Sequence, residues 1–262
     1  MNIAEASALR YSAVDIVAMY LHAEWGGILT PQVSHFPGGP AAQLELSTPG
    51  VFYVRAADLA TRTAAAHGVE LHQICDVGAG TGRTTYELSL RLPLTTRFTM
   101  VEPSEAFCAW AHRLLIEPAR DLPIPVPGLV GRPTSALVPA DRLPRITHDV
   151  KIYPQDAAGF AEHGETFDLV TCFNVLDRVP DPRTLVDDLA RLVRPGGLLV
   201  LACPFDYDTQ YSPPEVWVHD QRELLRPEQF EVVAVEELPY TFQQHGRAFN
   251  WYLSQVVVAR RR

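Results

Sequence analysis

The sequence has few of the features that mark secreted, membrane-spanning or metal-binding proteins. It contains only 4 cysteines in 262 residues, none in a C-x-x-C pair, so neither a disulfide framework nor a thiolate metal site is indicated. No apolar run approaches the ~20 residues that a membrane-spanning helix needs. Residues 1–10 lack the basic and apolar segments of a signal peptide. We therefore expect a reducing, cytoplasmic location and no membrane partner.

Positive charge is also scarce. The chain has 22 Lys and Arg against 31 Asp and Glu, a formal net charge of −9. Because nucleic-acid binding requires a basic face, this balance disfavours a nucleic-acid partner. The histidines show no metal-ligand spacing, so no metal is predicted. We expect a small-molecule substrate, and the sequence leaves the oligomeric state open.

From residue 71 onward, apolar strand-like segments alternate with helical ones. Such alternation predicts an α/β fold with a Rossmann-like, doubly wound, mostly parallel sheet. Two late strands without a helix between them predict an antiparallel C-terminal edge hairpin. The predicted strands are 71–77, 97–101, 149–153, 167–173, 198–203, 230–236 and 251–259, and the predicted helices of this part are 83–92, 105–116 and 181–193.

Two regions lie outside this alternation. Residues 1–70 are predicted to form an N-terminal helical cap. Its first helix covers 4–25 and ends at Gly26 and Gly27, and its second helix covers 51–67. Seven prolines between residues 118 and 144 exclude a helix or a central strand, so 118–147 is predicted to be an insertion, either a lid or a surface loop. We interpret residues 1–262 as one domain, with the core at 71–262.

A glycine-rich turn over residues 76–82, D-V-G-A-G-T-G, follows the first predicted strand and opens a helix. Glycines there permit a tight bend and close approach of a ligand to the backbone. In the dinucleotide pattern G-x-G-x-x-G, the third glycine would stand where this chain has Arg83. The D-x-G-x-G-x-G spacing therefore argues against a nicotinamide-dependent dehydrogenase.

Acidic residues follow three successive predicted strands. Asp76 ends the first and suits a ligand ammonium group, Glu102 ends the second and suits ribose hydroxyls, and Asp156 follows the third and suits an adenine amino group. Each acid alone could instead cap a helix or lie in a solvated loop. Together they lie at the carboxyl edge of the sheet, where α/β proteins bind ligands.

These residues resemble the class I methyltransferases that use S-adenosylmethionine (SAM). The resemblance covers about residues 71–259 and includes the glycine turn, Glu102, Asp156-Ala157, and the segments 166–170 and 192–197. It implies that SAM is the cofactor. The cofactor contacts that it implies are Asp76, Gly78, Ala79, Gly80, Gly82, Arg83, Glu102, Pro103, Ser104, Asp156, Ala157 and Asn174.

The string N-V-L-D-R at residues 174–178, which follows the fourth core strand, resembles the histidine-ring methyltransferases, both the mercaptohistidine type of ovothiol synthesis and the protein-histidine type. The segments 203–207, 211–217 and 247–251 are similar to the ovothiol type, and 20–26 more weakly so. The resemblance implies N-methylation of the imidazole of a small histidine derivative.

In that chemistry the attacking ring nitrogen must be neutral, with a free lone pair. Asp177 is expected to accept the N–H of the other nitrogen, Asn174 to bond the substrate or the cofactor, and Tyr211 to act beside them. The residues expected to contact the substrate are Tyr20, Arg178, Tyr207, Trp217 and Asn250. Alternatively, Asp177 and Arg178 pair with each other or cap the next helix, and the aromatic residues belong to the core.

Two other functions stay open at this point. A SAM-dependent cyclase would form azetidine-2-carboxylate and methylthioadenosine from SAM itself, and a scaffold protein would bind SAM without catalysis. The nucleoside product distinguishes the cyclase from a methyltransferase, because methyl transfer leaves adenosylhomocysteine.

Overall fold

A seven-stranded sheet forms the centre of the molecule. The computed structural model describes residues 13–29, 49–128, 133–245 and 248–262. The strands of the sheet are β1 (Gln73–Val77), β2 (Arg97–Val101), β5 (Asp149–Tyr153), β6 (Phe167–Phe173), β7 (Val193–Cys203), β8 (Phe230–His245) and β9 (Ala248–Arg261), and β3 (Leu122–Val126) and β4 (Thr134–Val138) form a separate pair.

The strand order of the sheet is β5-β2-β1-β6-β7-β9-β8. The strands β5, β2, β1, β6 and β7 pair in parallel, and β9 pairs antiparallel with both β7 and β8. The predicted Rossmann-like sheet with an antiparallel edge hairpin is therefore confirmed. The hairpin is longer than predicted, because β8 continues through Pro239, which faces Leu253 in the register.

Six α-helices surround the sheet within the described residues: α1 (Val14–Leu29), α2 (Val51–Ala66), α3 (Arg83–Ser89), α4 (Glu105–Leu115), α5 (Ala157–Ala161) and α6 (Pro182–Leu192). Ser104 caps α4 as its sequence position predicts, since its hydroxyl accepts from the Phe107 N–H at 3.3 Å. Asp181 caps α6 in the same way, accepting from the Arg183 N–H at 2.8 Å. None of these helices is long and apolar enough to cross a bilayer.

Helix α1 corrects one prediction, because it continues through Gly26 and Gly27 to Leu29. Tertiary packing overrides the weak helix propensity of glycine here. Trp25 is fully buried and donates from Nε1 to the Thr81 hydroxyl at 2.8 Å, and Leu29 is buried one turn later. The predicted start of this helix at residues 4–12 and the loop at 30–48 lie outside the described residues.

The proline-rich insertion contains the antiparallel pair β3–β4, an ordered hairpin within the segment predicted to be a lid or a loop. Leu122, Ile124 and Val126 are buried in an apolar cluster shared with α1 and α4. The prolines at 123 and 125 alternate with them, facing Leu137 and Ser135 in the register. Prolines are tolerated because each strand of this hairpin has only one neighbour in the sheet.

The segment Pro195-Gly196-Gly197, predicted as a turn before a strand, is a bulge inside β7. The β6–β7 register shifts between Phe167 and Leu169, and Gly196 has a φ of 77°. A Cβ at Gly197 would lie 2.9 Å from the Asp168 carbonyl oxygen, so the backbones approach too closely for a side chain. The division of residues 1–262 into a cap and a core stays a prediction.

Candidate active site

A cavity of about 1140 Å³ lies at the carboxyl edge of the parallel strands. The ends of β1, β2, β6 and β7 form its floor, α1 covers one side, and the distal half of the β8–β9 hairpin covers another. Pockets for one drug-sized ligand measure roughly 300–1,000 Å³. The cavity can therefore hold a nucleoside cofactor and a second small molecule together.

The glycine bend leaves β1 in left-handed backbone conformations, with φ values of 68° at Gly78 and 55° at Gly80. A Cβ at Gly78 would lie 2.3 Å from Val175 Cγ2, and one at Gly80 would lie 2.5 Å from Glu24 Oε1. Side chains are therefore excluded at both positions by conformation and by space. Gly78, Ala79 and Gly80 all line the cavity, as predicted for cofactor contacts.

Glu102 fixes the bend to the end of β2. Its Oε2 accepts from the Gly80 N–H at 3.0 Å, and its Oε1 accepts from the Ser104 N–H at 2.9 Å. Burial raises the pKa of Glu102 to about 7 despite these bonds. Glu102 lines the cavity together with its neighbours Pro103 and Ser104, where the sequence predicts ribose contacts.

Glu24 on α1 is a site residue that the sequence prediction missed. Its carboxylate accepts from the Thr81 N–H at 3.1 Å and from the Thr81 hydroxyl at 2.5 Å, and it lines the cavity beside Gly80. Burial raises its pKa to about 8, and nearby Glu102 adds to the shift. Glu24 could have been identified from the sequence, because it is a charged residue among the apolar positions of α1, one turn after Tyr20.

Three predicted cofactor contacts do not line the cavity. Both carboxylate oxygens of Asp76 accept from threonine hydroxyls, Thr171 at 2.7 Å and Thr85 at 2.9 Å. Burial raises its pKa to about 6. Gly82 packs against α4, and Arg83 is buried in an ion pair with Glu87 at 2.7 Å. The expected role of these three residues in holding the cofactor stays a prediction.

The third acid lies at the cavity rim. Asp156 is exposed and caps α5, because its Oδ1 accepts from the Gly159 N–H at 2.8 Å. The alternative that this acid caps a helix is therefore observed. Asp156 also lines the cavity, together with Ala157. Gln155 beside it also lines the cavity. The buried Oε1 of Gln155 has no hydrogen-bond partner among the described residues and is a further acceptor that the prediction missed.

Asn174 follows β6 with a φ of 57°, a left-handed conformation that asparagine tolerates better than most residues. Its Oδ1 accepts from the Ser254 hydroxyl of β9 at 3.0 Å. Its buried Nδ2 has no partner in the part of the chain that the structure describes. Asn174 therefore presents a fixed amide to the cavity with a donor still to be satisfied.

Asp177 is almost fully buried beneath Arg178, whose Nη1 lies 3.3 Å from its Oδ2. The same oxygen accepts from the Asp206 N–H at 3.0 Å, while Oδ1 has no partner within the described ranges. Burial raises the pKa of Asp177 to about 6, although Arg178 opposes the shift. The alternative that the two residues pair is thus observed, whereas the following helix is capped by Asp181.

Asp206, after β7, connects these residues to the hairpin. Its Oδ2 accepts from Arg178 Nη2 at 2.8 Å and from the Tyr252 hydroxyl at 3.1 Å, and Tyr252 accepts from Asn250 Nδ2 at 2.6 Å. All four line the cavity. The exit of β7 carries no periodic pattern, so Asp206 was not among the predicted site residues.

The predicted aromatic residues also come together at the cavity. Tyr207 stacks on Trp217 with ring centroids 5.2 Å apart, and the guanidinium of Arg178 lies 5.6 Å from the centre of the Tyr211 ring. Tyr20 packs between Phe107 and Phe242, at 5.1 and 5.2 Å. Every predicted catalytic and substrate-contacting residue therefore lines one cavity.

A family model described as a methyltransferase domain matches residues 52–254. The chain belongs to this family. This membership confirms that the protein is a methyltransferase and that its cofactor is SAM, as expected. The matched range contains the glycine bend, Glu102 and the residues from Asn174 to Asp206.

Curated relatives match over a short segment. The ubiquinone biosynthesis O-methyltransferases of Cronobacter sakazakii and Klebsiella pneumoniae are each 51% identical over 37 residues, which is 14% of this chain and only 15% of each relative. Among solved structures, magnesium protoporphyrin IX methyltransferase from Synechocystis with bound SAH (adenosylhomocysteine) is 15% identical, with a TM-score of 0.53 over 94% of this chain and 99% of that one.

The N-methyltransferase NodS from Bradyrhizobium japonicum, in complex with SAH, is also 15% identical, with a TM-score of 0.51 over 94% of this chain and 98% of that one. At such identities the likeness extends to the fold alone. The methyltransferase part of the predicted resemblance is confirmed, and its histidine-specific part stays a prediction.

Proposed function

We propose that this chain transfers the methyl group of SAM to a ring nitrogen of an imidazole in a small histidine derivative. The observation that carries the proposal is a pair of polar atoms at the cavity. The donor Nδ2 of Asn174 and the acceptor Oδ1 of Asp177 both lack a partner among the described residues. Unmet buried polar atoms are costly, so they favour a ligand that supplies the complementary groups.

The chemistry of the cavity suits SAM at the other end. The bend at Gly78 and Gly80 supplies backbone groups that no side chain covers, Glu102 offers a carboxylate for ribose hydroxyls, and Gln155 and Asp156 offer acceptors for an adenine amino group. When bound, SAM supplies an electrophilic methyl group on a positively charged sulfur. Asn174 lies between the two ends and serves both.

At the acceptor end, the residues hold and orient an imidazole. Asp177 or its partner Asp206 accepts the ring N–H, which keeps the other nitrogen neutral and directs its lone pair toward the cofactor. The Tyr207–Trp217 stack and Tyr211 provide aromatic faces that stabilise the imidazolium product. Alignment is the main catalytic contribution, worth up to ~7–11 kcal/mol in favourable intramolecular models.

We also propose that the acceptor is a free small molecule and that the chain works in a reducing, cytoplasmic setting. The net charge of −9 and the recessed cavity favour a small acceptor over nucleic acid. All four cysteines are free thiols, and three are buried.

The test is incubation of the protein with methyl-labelled SAM and a panel of histidine compounds, with NMR to locate the label. Label on a ring nitrogen, with SAH as the nucleoside product, supports the proposal. Methylthioadenosine as the nucleoside would indicate cyclisation of SAM instead. Binding of SAM with no product from any histidine compound would overturn the imidazole assignment and favour another acceptor or a non-catalytic role.

A further inference from the structure

Glu24 is a buried carboxylate beside the glycine bend that no cation neutralises within the described residues. Its side chain is held by the N–H and the hydroxyl of Thr81, with a further backbone hydrogen bond from Arg83. Arg83 donates to the Glu24 backbone carbonyl, at 2.6 Å, and its charge is engaged by Glu87. A buried carboxylate without a counter-ion is costly, so its place at the cavity calls for a cationic ligand group.

We propose that Glu24 is the counter-ion for the ammonium group on the amino-acid tail of SAM. The inference rests on SAM as the cofactor and not on the identity of the acceptor. Asp76, the acid expected to take this role, does not line the cavity, and both of its carboxylate oxygens are engaged by Thr85 and Thr171. Glu24 lines the cavity at Gly80, so α1 supplies the carboxylate that the end of β1 does not.

The surroundings of Glu24 favour its neutral form until a cation arrives. Glu102 lies near it at the end of β2, and the phenols of Tyr53 on α2 and Tyr240 on β8 lie near it as well. Burial raises the pKa of Glu24 to about 8, so near pH 7 the carboxyl group carries a proton. When an ammonium group binds, the O–H bond of Glu24 breaks, the proton passes to solvent, and the carboxylate pairs with the ammonium.

The test is calorimetric titration with two nucleosides, SAH and methylthioadenosine, which lacks the amino-acid tail. For the wild-type protein near pH 7, SAH binding is expected to release a proton, seen as a heat that depends on the ionisation enthalpy of the buffer, and methylthioadenosine binding is not. Glu24→Gln keeps acceptors for Thr81 and is expected to weaken SAH about 10- to 100-fold, to abolish the proton release and to change methylthioadenosine affinity less than about twofold.

Glu162→Gln, which removes an exposed carboxylate paired with Arg191, is the matched control and should change neither ligand. Equal weakening of both nucleosides by Glu24→Gln would make Glu24 a structural residue and overturn the proposal. Selective loss of SAH in Asp76→Asn would assign the role to Asp76. If Glu24→Gln fails to fold, the wild-type protein still tests the proposal. Equal proton release on binding of SAH and of methylthioadenosine would then overturn it. Wild-type protein that binds neither nucleoside would refute the cofactor assignment itself.

Discussion

The two ends of the cavity differ in how completely the chain satisfies its own polar groups. At the cofactor end, both oxygens of Glu102 accept backbone N–H groups, and Glu24 is held by Thr81. At the acceptor end, Asn174 Nδ2 and Asp177 Oδ1 have no partner among the described residues. The glycine bend and Glu102 are thus held by the chain itself, with Gln155 Oε1 as the unmet acceptor of that end, whereas the acceptor end has both a donor and an acceptor without a partner among the described residues.

The difference follows from how each end is assembled. The bend and Glu102 lie on adjacent parallel strands, so the sheet register fixes them. The acceptor end joins the exits of β6 and β7 to the distal part of β9 through Arg178, Asp206 and Tyr252. Substitutions at the cofactor end should therefore act on binding through geometry, and those at the acceptor end should act on the rate of transfer.

The largest expected effect is that of Gly80→Ala. The added Cβ would lie 2.5 Å from Glu24 Oε1 at a φ of 55°, so either the Glu24 carboxylate or the bend must move. Strain and overpacking together cost up to about 4 kcal/mol, which corresponds to about a 1,000-fold loss of SAH affinity in calorimetry. Gly164→Ala is the matched control, since it shares a positive φ of 72° but has open space around it. Unchanged SAH affinity in Gly80→Ala would show that the cofactor end is not preformed.

Asp177→Asn should impair the acceptor end of the cavity and leave cofactor binding at the other end unchanged. The amide keeps an acceptor for the Asp206 N–H but removes the charge that stabilises the product cation. We expect kcat/KM for the acceptor to fall about 100-fold while SAH affinity changes less than about twofold. Asp187→Asn, which breaks only the exposed pair with Arg226, should leave both values unchanged. A large loss of SAH affinity in Asp177→Asn would mean that the two ends are not independent.

The stability of the ligand-free protein should fall as the pH rises from about 5 to about 8. The folded state keeps protons on Glu24, Glu102 and Asp76, whose pKa values are raised to about 8, 7 and 6. The unfolded chain loses those protons at lower pH, so raising the pH favours unfolding. Glu24 alone should account for a loss of about 2 kcal/mol between pH 6 and pH 8, seen as a falling Tm, with a shallower slope in Glu24→Gln. A flat Tm profile would show that these carboxyls are solvated.

The smallest effect is expected at Asp156, on the rim. Asp156→Asn keeps an oxygen to cap α5 and weakens one hydrogen bond to the cofactor, so SAH affinity should fall by about 1 kcal/mol. Asp156→Ala should in addition lower the free energy of unfolding by about 1 kcal/mol through loss of the cap, measured by urea titration. Asn and Ala variants of equal stability would argue against the cap.

Local sequence patterns were sufficient to predict the strands and helix starts that surround the site. The strands 97–101 and 167–173 are observed with the predicted bounds, because buried parallel strands are largely apolar runs, and the edge strand 149–153 is observed with its predicted bounds although it is partly exposed. Ser104 could be recognised as the cap of α4, since a cap depends on residues within one turn, whereas Asp181 was predicted as the first residue of the helix and is its cap.

Residues that act through distant contacts could not be predicted in this way. The sequence places Asp76 at the predicted strand end, but only tertiary packing engages its carboxylate with Thr85 and Thr171 and leaves it out of the cavity lining. Glu24 lies inside the predicted helix 4–25, but only the packing of α1 against the bend brings its carboxylate to Thr81, and Tyr240 requires β8 to continue past Pro239. Both elements are extended by tertiary packing that a proline or glycine rule does not include.

The proline-rich hairpin reaches the chemistry indirectly. Its apolar face shares a cluster with Val17, Leu21 and Trp25 of α1, the helix that carries Tyr20 and Glu24 into the cavity. The hairpin thus braces the helix from outside the sheet. Shortening the β3–β4 hairpin, or replacing it with one of another length, would move α1 together with Tyr20 and Glu24. The choice of ligand would then change without replacement of any residue that lines the cavity.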